Sequence, residues 1–289
     1  MTLRNKLIAG RNISRRTFRK ALSQPFTGYL RSLPDFLIIG CGKCGTSSLY
    51  GYLSEHPSVI PARRKEIHFF DVNFGKGSAW YRSHFPFLLH KTRAQQQHEG
   101  TCLTGEATAY YIFHPAAADR VFQTVPDIKL VALLRNPVDR AFSHYQQNQR
   151  KQREPLSFEE AIDNEEQRLS GETEKLNADV DYFSFEHRHY SYLSRGIYAD
   201  QLANWQRYFA PDQILILQSE PFFRDTGTMF KKIQGFLNLP VWEPAQYKVL
   251  NPGHYSDLSV DLRNRLVEYF RPHNQRLYEM LGQRFDWDG

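Results

Sequence analysis

Apolar residues fall along the chain in short unbroken runs, separated by stretches of helical period. Phe36-Leu37-Ile38-Ile39 ends at Gly40, Leu130 to Leu134 ends at Arg135, and Ile214 to Leu217 ends at Gln218. Runs of this length, bounded by turn-forming or polar residues, read as strands buried on both faces. Segments 35–40, 129–135 and 214–220 are therefore expected to be strands. Between them the spacing changes. Residues 46–56 place Leu49, Tyr52 and Leu53 on one helical face, and 192–209 does the same with Leu202, Trp205 and Phe209. Residues 228–239 read as another helix, and Leu258, Leu262, Leu266 and Phe270 step by four near the C-terminal end. Asn136 is placed to cap a helix, with Pro137 at its first position and Asp139 in its first turn. Strands alternating with helices predict an α/β fold: a single domain with a central parallel sheet flanked by helices.

Two segments break the pattern. Residues 1–34 are basic and are expected to form an arm ahead of a domain at 35–289. Ser14-Arg15-Arg16-Thr17-Phe18-Arg19-Lys20 resembles a twin-arginine export signal, but Gln24, Pro25 and Arg31 interrupt the apolar stretch that should follow. Residues 146–190 are polar and charged, and read as a solvated helix or mobile insertion on the acceptor side of a site, outside the core. No apolar run approaches the roughly 20 residues of a membrane span.

Composition narrows the picture. The chain has 289 residues, 41% hydrophobic and 14% aromatic, which supports a large core and excludes disorder over most of its length. The net charge of +6 suggests an anionic ligand, which a nucleic acid, a phosphonucleotide or a sulfated glycan would each satisfy. Three cysteines make no disulfide framework and fit a reducing compartment, taken here as the cytoplasm.

The loop after the first strand carries candidate chemistry. Gly40, Gly42 and Gly45 surround Lys43, and Thr46 and Ser47 open the next helix. A phosphate held where a strand meets a helix needs convergent backbone N–H groups, a facing helix N-terminus and no obstructing Cβ. The glycines supply room, the hydroxyls add donors, and Lys43 adds a full charge. The spacing is not Walker A: Gly42-Lys43 is followed by Cys44, position 37 is leucine, and no Walker-type magnesium ligand is evident. Cys41 and Cys44 form a C-x-x-C at a helix mouth, which keeps a thioredoxin-like redox reading open. That reading leaves the later motifs unexplained. With Cys102 as the only other thiol, a zinc site lacks a second pair.

Arg135 repeats the logic at the end of the second strand. A guanidinium fork there and the hydroxyl of Ser143, six residues after Pro137, can together grip a second phosphate. Jointly, GCGKCGTSSL (40–49) and LRNPVDRAFSHY (134–145) resemble the 5′-phosphosulfate loop and 3′-phosphate motif of the sulfotransferases that use 3′-phosphoadenosine 5′-phosphosulfate (PAPS). EIHFFD (66–71), SLYGYLSEHPSV (48–59) and LVEYFRPHNQRLYEMLGQRFDW (266–287) are most similar to the heparan sulfate glucosaminyl O- and N-sulfotransferases within that superfamily. The resemblance runs from about residue 35 to the C-terminus, and its specificity lies in the order and spacing of the motifs.

The resemblance implies a P-loop nucleotide-kinase-like sulfotransferase fold, with PAPS as cosubstrate and adenosine 3′,5′-bisphosphate (PAP) as product. It implies that Lys43, Cys44, Gly45, Thr46 and Ser47 hold the 5′-phosphosulfate, and Arg135 and Ser143 the 3′-phosphate. Arg195 and Tyr198 would line the nucleotide. Gly253, His254 and Tyr255 would close over it in a loop where Pro252 replaces the family's frequent lysine. Lys43 and helix N–H groups would stabilise the leaving phosphate, with no metal required. Glu66 is the implied general base, with His68 beside it; on a strand-like stretch, period 2 puts both on one face. Whether Glu66 or His68 takes the proton stays open.

Arg64, Asp71, Glu106 and Tyr110 are implied to meet the acceptor. Ala107 stands where the family often carries an acceptor-contacting lysine. The acceptor is thus a polyanionic glycan met by Arg63, Arg64 and Lys65, or a smaller neutral sugar, lipid headgroup or metabolite. The expected partner is a carbohydrate or small molecule, with no nucleic acid and no membrane span; oligomeric state is not specified. Two other functions compete: a kinase-like phosphotransferase needing Mg²⁺ and ATP, and a non-catalytic nucleotide- or glycan-binding module.

Overall fold

The computed structural model describes residues 27–98, 100–248, 250 and 258–287. Five strands, β1 (Phe36–Gly40), β2 (Val59–Pro61), β3 (Leu103–Ala107), β4 (Lys129–Leu134) and β5 (Ile214–Gln218), form one sheet in the order β2-β3-β1-β4-β5. Every pairing is parallel. β1 lies at the centre, fully buried, with Phe36 opposite Gly105 on one side and Lys129 on the other. The chain steps to one side of β1 for β2 and β3, then crosses to the other for β4 and β5. Loops leaving the central strands therefore meet at the sheet's carboxyl edge, where open α/β sheets bind ligands.

Helices cover the sheet. Thr46–Glu55 follows β1, Pro137–Arg150 follows β4, and Tyr198–Gln206, Thr226–Leu237 and Val260–Leu281 complete the principal packing. Asn136 caps its helix as expected: its side chain accepts from the N–H groups of Val138 and Asp139. β5 ends earlier than its sequence suggests, because Ser219 already opens a helix. Trp205, Phe209, Phe222 and Trp287 are among the large rings that fill the sheet's core.

Residues 146–190 depart from expectation. The helix Pro137–Arg150 runs into this stretch, and the helices Phe158–Asp163, Glu165–Leu169, Glu172–Ala178 and Phe185–His189 follow. Phe158, Ala161 and Ile162 are buried with Val138, Ala141, Tyr192, Leu266 and Phe270 in a second apolar cluster. The segment therefore contributes to the core. Its charges fold inward because they are satisfied: buried Glu154 meets Arg168 at 2.6 Å and the Tyr192 hydroxyl at 2.9 Å, and buried Glu165 accepts from the N–H groups of Leu193 and Ser194.

The last residues of the basic lead-in pack on the domain. Arg31 Nη1 donates to the Phe85 carbonyl at 2.7 Å, and Ser32 N donates to that of Pro86 at 3.0 Å. The twin-arginine-like stretch lies outside the described residues. No helix among the described residues is long and apolar enough to cross a membrane.

Candidate active site

The loop leaving β1 passes twice through left-handed backbone, at Lys43 (φ 75°) and Gly45 (φ 96°). At Gly45 a Cβ would lie 2.7 Å from the Phe223 ring, so only glycine fits. Lys43 adopts the same backbone region despite its side chain, at a cost of roughly 1–2 kcal/mol. The second motif touches the first: Arg135 Nη1 donates to the Lys43 carbonyl at 3.3 Å. Both residues line one cavity of about 1180 Å³, together with Gly42, Thr46, Ser47 and Phe223.

Two adjacent residues at the end of β5 clasp both loops. Ser219 Oγ donates to the Cys44 carbonyl at 2.6 Å, while Glu220 Oε1 accepts from Asn136 N at 2.8 Å. Trp287 Nε1 reaches the other Glu220 oxygen at 3.4 Å. Tyr198 donates to the Arg135 carbonyl at 2.8 Å.

Glu66 and His68 reach the cavity from a loop and not from a strand. Both have left-handed backbone, φ 56° and 58°, which brings Glu66 Oε2 within 3.4 Å of His68 Nε2. Lys65 Nζ donates to Glu66 Oε1 and to Ser47 Oγ, each at 2.9 Å, and so joins this loop to the anion cradle. His68 Nδ1 lies 2.6 Å from Asp71 Oδ2, and Arg188 Nη2 lies 2.8 Å from His68 Nε2. A guanidinium only donates. In that contact Nε2 is the acceptor, the ring proton sits on Nδ1, and it donates to buried Asp71.

The cavity lining is basic. Lys43, Lys65, Arg135, Arg140, Arg150, Lys151, Arg153, Arg188 and Arg195 line the cavity against three carboxylates, Glu66, Asp139 and Glu220. Such an imbalance in a concave site favours anions. Arg195 is buried against the Tyr110 ring, 4.7 Å from its centroid, and donates to Ser191 Oγ and to the carbonyls of His187 and Arg188. Burial lowers its guanidinium to about 10, which keeps it charged at neutral pH.

Of the residues singled out in the sequence, Lys43, Gly45, Thr46, Ser47, Glu66, His68, Tyr110, Arg135 and Arg195 are on the cavity wall. Others stand behind it or away from it. Cys44 is buried, with Sγ 3.7 Å from the Gly42 carbonyl. Ser143 is buried on the helix whose Asp139, Arg140 and His144 line the cavity, and is not itself part of the wall. Tyr198 is buried and holds Arg135 from behind, rather than lining the cavity. Asp71 is buried and orients His68, rather than facing an acceptor. Arg64 is exposed and donates to the Ile67 carbonyl, off the wall. Glu106 is fully buried beneath the hydroxyls of Tyr81, Tyr111 and Thr108, off the cavity wall. Gly253, His254 and Tyr255 lie outside the described residues.

Sequence reasoning missed Arg188 and the Arg150–Arg153 cations. Their signal was present in the clusters RKQR (150–153) and EHRHY (186–190), but these fell in the segment set aside as solvated. The C-x-x-C thiols are free and at most 1% exposed, so no external disulfide can reach them. The Cys44 thiol, by hydrogen bonding, lowers Cys41 to about 7.

The fold and the cavity define an α/β enzyme with an anion-binding cleft at the carboxyl edge of its sheet. A family model for the sulfotransferase domain matches residues 33–257. The chain belongs to the sulfotransferase family and is a transferase of sulfuryl groups. It is 30% identical over 287 residues to heparan sulfate glucosamine 3-O-sulfotransferase 6 of Homo sapiens, covering 89% of this chain and 74% of that protein. It is 27% identical over 346 residues to the membrane-associated sulfotransferase kil1 of Dictyostelium discoideum, covering 96% of this chain and 72% of that protein. For heparan sulfate glucosamine 3-O-sulfotransferase 3A1 of Homo sapiens, the identity is 29%, over 90% of this chain and 63% of that protein. The chain thus spans about two thirds to three quarters of the length of these relatives. A solved sulfotransferase structure from Alicyclobacillus acidocaldarius matches with a TM-score of 0.68 and 30% identity, covering 89% of this chain and 100% of that one.

Proposed function

We propose that the protein transfers the sulfuryl group of PAPS to a hydroxyl or amine of an anionic carbohydrate or small-molecule acceptor. Lys43 stabilises the leaving phosphate and Glu66 is the general base. The observation that carries this reading is the contact between the two anion-binding loops inside one cavity. PAPS has anionic groups on both sides of its adenosine, and a cationic loop is available to each. When bound, it supplies an activated sulfuryl group on a phosphate oxygen.

The chain's own residues then divide the work. Lys43 and the N-terminus of the helix Thr46–Glu55 oppose charge that grows on the departing phosphate. Glu66 takes the acceptor's proton at whichever carboxylate oxygen faces it. Lys65, bonded to Ser47, keeps Glu66 beside the cradle. Asp71 and Arg188 hold the His68 ring from opposite nitrogens.

PAP is expected to raise the thermal midpoint by several degrees at 100 times its Kd, because a ligand selective for the native state then contributes about 2.7 kcal/mol. ATP with Mg²⁺ should produce a much smaller rise. A larger rise with ATP and Mg²⁺ than with PAP would overturn the reading in favour of phosphoryl transfer.

The basic wall favours an anionic acceptor over a neutral one. Neutralising Lys151 and Arg153 together is expected to raise the acceptor KM about tenfold at low salt, on the order of 1.4 kcal/mol. The response to PAP should be unchanged. Equal turnover of sulfated and uncharged glycans by the unaltered enzyme would refute the anionic assignment.

A further inference from the structure

Glu106 lies on β3 with its side chain fully buried, and among the described residues its hydrogen-bond partners are three hydroxyls and no cation. Tyr81 and Tyr111 donate to Oε1 at 2.8 and 3.0 Å, and Thr108 donates to Oε2 at 2.7 Å. Burial pushes its carboxyl up to about 7 against the pull of these hydroxyls. An apolar residue would avoid that cost, so the carboxylate calls for an explanation.

Proton direction supplies one. A hydroxyl has a single proton, and Tyr111 and Thr108 each direct theirs to Glu106. Their lone pairs are thereby left for the neighbouring loop. Tyr111 accepts from Phe69 N at 2.8 Å and from Phe70 N at 3.4 Å, and Thr108 Oγ1 accepts from His68 N at 3.4 Å. The next β3 residue completes the set: the Ala107 carbonyl accepts from Glu66 N at 2.9 Å. The amides of residues 66, 68, 69 and 70 are thus all held at the exit of β3. This is the stretch in which Glu66 and His68 take up disfavoured left-handed backbone.

We propose that Glu106 is a positioning residue, which orients the Tyr111 and Thr108 hydroxyls so that they lock the 68–70 backbone and bring Glu66 and His68 together. The proposal rests on the reading of Glu66 as the base.

The test compares turnover, KM and PAP-induced thermal shift across four variants. Tyr111→Phe and Thr108→Val are each expected to lower kcat about tenfold, since small misplacements of reacting groups carry large penalties. KM for PAPS and the shift with PAP should stay within twofold. Glu106→Gln can still accept from both tyrosines but no longer from Thr108, and is expected to lower kcat about tenfold, as Thr108→Val does. Glu106→Leu should lose about 100-fold. A merely structural role would instead lower the thermal midpoint and the PAP response together. Unchanged kcat in folded Tyr111→Phe and Thr108→Val overturns the proposal, as does full activity in Glu106→Leu. Glu66→Gln, assayed alongside, separates the two failures. If it is active, the base assignment falls and the proposal with it; if it is inactive while the tether variants are normal, only the positioning role falls.

Discussion

Lys43→Ala is expected to lower kcat/KM for sulfuryl transfer by about a thousandfold or more, since one donor at a site of developing negative charge is worth 10²–10³ and a full cation more. The position makes the prediction sharp. Lys43 sits at the turn between β1 and its helix, with its carbonyl held by Arg135. The same residue bears left-handed backbone, so Lys43→Gly should remove activity while gaining on the order of 1 kcal/mol in stability. Single-turnover kinetics and denaturant unfolding on the same variants would measure both. A Lys43→Ala enzyme retaining more than a tenth of its activity would show that the leaving group is stabilised elsewhere. Lys43→Arg is not expected to rescue, because a planar fork cannot replace a point charge in this turn.

Glu66→Gln is expected to lower turnover by about 10²–10⁴-fold, the usual worth of a positioned base. PAP binding should survive, because Lys65 stands between the Glu66 carboxylate and Ser47 of the cradle. Stability should change by less than about 1 kcal/mol, since the Glu66 side chain is 34% exposed and surface ion pairs contribute little. Isothermal titration with PAP and an acceptor assay on one preparation test both halves. His68→Ala is the informative companion. A loss larger than that of Glu66→Gln would move the base role to the imidazole, which Asp71 holds with Nε2 toward the cavity.

The strands that were legible in the sequence are those with uninterrupted apolar runs. β1 and β4 announce themselves because both faces are covered, leaving almost no polar positions to break the run; β5, half-buried at the sheet's edge, still carries four apolar residues in a row. β3 reads LTGEA and hides, because Glu106 is buried among hydroxyls and a carboxylate normally signals solvent. β2 is only three residues long at the sheet's edge. The 146–190 stretch was misjudged for a related reason: Glu154, Glu165 and Glu172 are buried with their partners, and single-residue polarity does not reveal pairing.

The site was partly legible. Small residues around Lys43 and the capped turn after Arg135 are local patterns, and local patterns survive without coordinates. The Glu66–His68 convergence was expected from strand periodicity, yet it arises from two left-handed residues that no periodicity encodes. Arg188 reaches His68 across 120 positions of chain, a distance that only tertiary packing can close.

Ser219 and Glu220 are neighbours in the chain, and one grips the first loop while the other grips the second. The gap between the two cradles is therefore set like the jaws of a caliper by a single screw. A shift of that one turn would move both jaws together, so the spacing of the two loops is inherited from a single point on the chain.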